Sequence, residues 1–102
     1  MNNKLLSLLG FAAKAGKLSY GFEAAVSSIK SNKARLLLVA NDISQKSLKE
    51  AKYFADKANV KHILLKDYDI KTLSDAVGRK CGIITVNDIG FADACAKLID
   101  CE

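Results

Sequence analysis

Few side chains in this sequence are of the types that catalyse or hold metal, and their spacing suits neither task. His62 is the only histidine. It lies inside the apolar run Val60 to Leu65, where an imidazole packs or faces solvent far more often than it takes a proton from a substrate. Asp67 and Asp69 flank Tyr68 in a loop and Asp88 ends a strand-like run. With no third oxygen donor at a fixed spacing they read as turn and cap residues, not Mg²⁺ ligands. Cys81, Cys95 and Cys101 are odd in number and include no Cys-x-x-Cys pair, which argues against a disulfide framework and against a zinc knuckle. Arg79 and Lys80 would favour the Cys81 thiolate, but with no histidine beside it in sequence a buried, inert thiol is the commoner case. Gly78-Arg79-Lys80-Cys81-Gly82 has the composition of a phosphate loop, yet it follows a helix and precedes a strand. That reverses the strand, loop, helix order such a loop requires. None of these groups specifies an enzyme, a metal or a cofactor.

The elements that position these residues follow from hydrophobic periodicity. Leu5, Leu8, Leu9 and Ala12 recur at helical spacing, predicting an amphipathic helix over Asn3 to Ala15, which Gly16 ends. Lys17 to Tyr20 allows only a short strand. Gly21 then opens a second helix with Phe22, Ala25, Val26 and Ile29 on one side, about two and a half turns long. Ala34 to Ala40 is a nearly unbroken apolar run, as expected of a strand covered on both faces. Ser44 or Asp42 is placed to cap a third helix whose buried stripe is Leu48, Ala51, Phe54, Ala55 and Ala58, with Lys46, Lys49, Lys52 and Lys57 mostly outside. Val60 to Leu65 reads as a second central strand, Ile70 to Val77 as a shorter helix, Gly82 to Asp88 as a third strand and Phe91 to Ile99 as a last helix. Strands alternating with helices predict an α/β sandwich. The 102 residues hold no proline, linker or repeat, so one domain spanning 1–102 is expected.

Charge is unevenly placed. Residues 1–61 carry 11 Lys and Arg against 4 Asp and Glu, and residues 62–102 carry 5 against 7. Such asymmetry points to a polyanionic partner, most often nucleic acid. The turn before the second helix is where an anion would sit, because the first amides of a helix have no internal acceptors. Lys14 and Lys17 precede that turn. Lys30, Lys33 and Arg35 follow the helix. The start of the chain lacks an apolar stretch with a small-residue cleavage site, and no apolar run reaches the ~18 residues of a membrane span. A cytoplasmic protein with no membrane partner is expected.

The stretches "AAKAGKLSYGFEAAVSSIKSNKARLLLVANDIS", "DAVGRKCGIITVND" and "GFADA" resemble the L7Ae/L30e ribosomal protein family, in its short bacterial YlxQ-like branch, across essentially the whole chain. The resemblance implies a three-layer α/β/α sandwich around a mixed four-stranded sheet. It also implies RNA binding, typically of kink-turns, in which tandem sheared G·A pairs beside a bulge bend the helix. Family members place the N-terminus of the second helix in the opened groove, and a loop before the last strand covers a protruding nucleotide. By position, Gly21 matches the turn glycine, Lys14 and Lys17 lie on its approach, and Arg79 and Lys80 fall in the second loop. Strong kink-turn binders read Gly-x-Asn-Glu-x-x-Lys where this chain reads Gly21-Phe22-Glu23-Ala24-Ala25-Val26-Ser27. Glu23 can accept hydrogen bonds from guanine N1 or N2, whereas Ala24 lacks polar reach and Ser27 lacks charge.

The expected site residues are therefore Lys14, Lys17, Gly21, Phe22, Glu23, Lys30, Arg79 and Lys80. Their expected partner is kink-turn or ribosomal RNA, bound by a monomer in company with ribosomal or other ribonucleoprotein components. A second reading keeps the fold without the RNA site. It makes the chain a protein-interaction module, with Tyr20, Phe22 and the Cys81 loop as an exposed apolar contact.

Overall fold

The structure is a computed structural model that describes residues 4–100, apart from the side chain of residue 100. Five helices and four strands alternate: α1 (Lys4–Lys14), β1 (Leu18–Tyr20), α2 (Phe22–Lys30), β2 (Leu36–Ala40), α3 (Gln45–Lys57), β3 (Lys61–Leu65), α4 (Ile70–Val77), β4 (Ile83–Val86) and α5 (Ile89–Asp100). The strands form one mixed sheet in the order β1-β4-β2-β3, with β4 antiparallel to both of its neighbours and β3 parallel to β2.

Strand period assigns each face of the sheet to its own helices. Leu36, Leu38 and Ala40 of β2 and Ile84 and Val86 of β4 pack with Leu5, Leu9, Leu73 and Cys95, under α1, α4 and α5. Leu37, Val39 and Ile83 face the other way, onto Ala25 and Ile29 of α2 and Ala51 and Ala55 of α3. The result is the three-layer α/β/α sandwich expected. Every residue of β2 is buried, which explains why its sequence is apolar without alternation.

Among the described residues the buried polar side chains, Thr85 and Ser28, belong to one fully bonded network. Thr85, wholly buried, donates from its hydroxyl to Asn87 Oδ1 at 3.1 Å, Asn87 Nδ2 donates to Ser19 Oγ at 2.9 Å, and Ser19 and Ser28 share a hydroxyl bond of 2.6 Å. This chain ties β1, β4 and α2 together without leaving a buried polar group unpaired, a state that would cost about 1 to 3 kcal/mol.

The structure corrects several details. Val60 to Leu65 does not form a central strand: β3 lies at the sheet edge, with Leu64 43% exposed. Its apolar side chains cover α3 and the outer core without a further strand beyond them. Of the two candidate caps of α3, Ser44 holds the position, accepting from Ser47 N–H at 3.2 Å, while Asp42 accepts from Ile70 N–H at 2.9 Å and so braces the start of α4. Asp69 caps α4 through Thr72 N–H at 2.8 Å, and that bond holds its carboxyl below the usual range. Helix α5 begins two residues earlier than Phe91, because Asp88 accepts from Phe91 N–H at 3.0 Å. Asn3 and Cys101 lie outside the described residues.

Burial decides the behaviour of the two described thiols. Cys81 and Cys95 are both free and buried, and desolvation raises both, Cys95 to about 11. The cations at 79 and 80 do not reverse this at Cys81. In a Cys101→Ser background, neither thiol is expected to react with a disulfide reagent at pH 8 until denaturant is added. Stoichiometric labelling of the native protein would contradict that burial.

Candidate nucleic-acid interface

Helix α2 begins at Gly21, whose φ of 86° and ψ of 166° lie in a region that in practice only glycine occupies. No side chain caps this helix end. Gly21 N–H instead donates to Ile83 O at 2.8 Å, fastening the turn to the start of β4. The amides of Phe22 to Ala24 precede the first i to i−4 acceptor, so they point out of the helix end toward solvent.

The loop between α4 and β4 lies beside that turn. Gly78 ends α4 in the left-handed conformation, φ 78°, with its N–H on Ser74 O at 2.9 Å. Ser74 Oγ then clamps the far side of the loop, accepting from Cys81 N–H at 3.0 Å and donating to Cys81 O at 3.2 Å. Between these anchors Arg79 places its guanidinium carbon 5.0 Å from the centre of the Tyr20 ring, a cation–π contact that joins the loop to β1. Burial raises the Tyr20 hydroxyl pKa; Arg79 opposes that shift and Cys81 adds to it.

A groove of about 910 Å³ opens between α1 from Leu6 to Lys14, β1, Ala24 of α2 and the end of α4. Lys14 and Arg79 line it, as does Asp75. Among the expected residues the fold thus sets Lys14 and Arg79 on one groove with Tyr20, which Gly21 follows directly, and leaves Glu23 and Lys80 exposed close by in the chain. It separates others. The Lys17 carbonyl accepts from Asn87 N–H at 2.8 Å, and Arg35 N–H donates to Val86 O at 2.8 Å, so both lie at the opposite end of β4. Lys30 ends α2, roughly 13 Å along the helix from Gly21, with its Nζ 4.9 Å over the Phe54 ring.

Phe22 is half-buried against the α2 and α3 layer, Tyr20 packs on the other core, and Cys81 is only 5% exposed. The three therefore form no exposed apolar patch, because Cys81 is buried and Phe22 packs on the face of the sheet opposite Tyr20 and Cys81. Sequence reasoning also passed over Phe11, which lines the groove and is 63% exposed. Its signal was present: Ser7, Phe11 and Lys14 share one helical face, off the Leu5, Leu9 and Ala12 stripe. Among the described residues no three His, Cys, Asp or Glu side chains converge as a metal site requires, and no helix is long and apolar enough to cross a membrane.

The model of the ribosomal protein L7Ae/L30e/S12e/Gadd45 family matches residues 3–96. This chain belongs to that family. Within reach of it, the RNA-binding protein YlxQ of Enterococcus faecium is 30% identical over 98 residues, covering 95% of this chain and 92% of that protein. The large ribosomal subunit protein eL30 of Euphorbia esula is 29% identical over 89 residues, covering 85% and 79%. A Bacillus halodurans protein of unknown function superposes with a TM-score of 0.91 at 28% identity, over 97% of this chain and 99% of its own. A 15.5 kD Giardia lamblia protein, at 15% identity and a TM-score of 0.77 over 98% and 88%, shares the fold. The family's sandwich is thus kept over nearly all of the chain.

Proposed function

We propose that this protein binds structured RNA of the kink-turn type and performs no chemistry on it. In this reading the amides at the start of α2 meet a phosphate or base edge, Lys14, Arg79 and Lys80 neutralise the backbone on either side, and Glu23 accepts from a guanine edge. The observation that carries the reading is the convergence of the Gly21 helix start and the Arg79 loop at one end of the sheet, held together through β4 and Tyr20. Family membership and the RNA-binding name of the Enterococcus relative support it. The ribosomal name of the eL30 relative supports a place among ribonucleoprotein components, in the cytoplasm.

The test is titration of nuclease-treated protein into a kink-turn RNA and into the same RNA with its G·A pairs converted to Watson-Crick pairs, at several salt concentrations. Contact with about 4 to 6 phosphates gives a slope of log affinity on log salt of roughly −3 to −5. Lys14→Glu with Arg79→Glu is expected to make that slope shallower by about 2. Lys17→Glu with Arg35→Glu, at the other end of β4, is expected to leave it nearly unchanged. Equal binding to both RNAs would remove kink-turn selectivity. No binding to either would overturn the reading in favour of a protein-interaction module.

A further inference from the structure

Phe11 is an aromatic side chain left mostly in water beside a groove of about 910 Å³. Nothing in the core requires it there, since α1 packs inward through Leu5, Leu9 and Ala12. Gly10, next to it, lets α1 approach α4 closely: a Cβ at this position would meet Ala76 O at 3.2 Å. The groove is lined by small residues such as Gly10, Ala13 and Ala76 together with the Phe11 ring. At the end nearer α2 stand Lys14, Arg79 and the Tyr20 ring that Arg79 covers. At the other end the groove reaches Leu6 and Ser7, roughly 12 Å back along the helix.

We propose that this groove holds a short single-stranded RNA segment leading away from the α2 contact, with one base stacked on Phe11 and the neighbouring phosphates on Lys14 and Arg79. The inference rests on the RNA-binding reading above and extends the contact surface to α1. Three features favour an unpaired nucleotide as occupant. Every base has a face that an exposed aromatic can stack. The cations at the α2 end of the groove suit a phosphodiester rather than an apolar peptide. Asp75, the carboxylate on the groove wall, can accept from a base amino group once neighbouring phosphates are neutralised. Double-stranded RNA would not reach the ring, because its bases are already stacked on one another.

The protein has no tryptophan, so Phe11→Trp introduces a single indole whose emission reports on the groove directly. The probes are a blunt kink-turn RNA and the same RNA with a six-uridine tail at its 5′ or its 3′ end. One of the tails is expected to raise wild-type affinity about tenfold, the size of one stacked base. The same tail is expected to quench the indole where blunt RNA does not. Phe11→Ala is expected to lose the tail's gain and keep blunt RNA binding, with an unchanged circular dichroism spectrum because the ring is outside the core. Blunt RNA binding with no gain and no quenching from either tail would overturn this inference while leaving the α2 contact in place. Failure of the wild type to bind any of the three RNAs would overturn both.

Discussion

Gly21→Ala is expected to lower folding stability by about 1 to 3 kcal/mol, the size of the strain a side chain suffers in this backbone region. The cause is conformational rather than steric. A Cβ built on Gly21 meets nothing within 4 Å, but its φ of +86° is one that L side chains rarely adopt. The chain can relieve the strain only by rotating the turn, and that breaks the Gly21 N–H bond to Ile83 O and tilts the first amides of α2. RNA affinity is therefore expected to fall at least about tenfold, since losing one charge-assisted bond already approaches that factor. Denaturant unfolding together with RNA titration below the variant's melting range checks both parts. Unchanged stability would show that the turn tolerates alanine and that another residue sets the helix entry.

The largest loss of stability is expected from Leu38→Ala, about 2 to 5 kcal/mol. Leu38 is completely buried in β2, beneath α1, α4 and α5. A domain of this size has roughly 5 to 15 kcal/mol to lose, so this variant stands near unfolding. Leu64→Ala, on the edge strand β3 and 43% exposed, removes the same atoms and is expected to cost a fraction of that. Equal losses at the two positions, measured by denaturant midpoint, would contradict the strand order β1-β4-β2-β3.

Periodicity made most of the elements legible, because each helix carries its own buried stripe and β2 is apolar on both faces. It did not reveal which strand is central. Val60 to Leu65 differs from the wholly apolar β2 by Lys61 and His62 at its start, but Ile63 to Leu65 read as a core strand, and its pairing with a single neighbour is what makes β3 an edge. The same gap explains the basic residues. Lys14 and Lys17 are three positions apart in sequence, but the helix ends between them and the chain reverses. One then lines the groove while the other sits at the far end of β1. Lys30 follows the same logic, since nine residues of helix carry it away from Gly21. The Arg79 contact with Tyr20 and the exposure of Phe11 depend on how α4 lies against α1, and local patterns hold no record of that packing.

The clamps around the α4–β4 loop bear on the thermodynamics of recognition. Ser74 holds both the N–H and the C=O of Cys81, Gly78 closes α4, and Arg79 rests on an aromatic ring before any ligand arrives. Immobilising a long side chain on binding ordinarily costs about 0.5 to 1.5 kcal/mol each, and ordering a loop costs more. Here much of that ordering has been done during folding. The protein side of the complex should then change shape little. The heat capacity and entropy of association would be dominated by rearrangement of the RNA, which must bend or unstack to meet a surface that is already set.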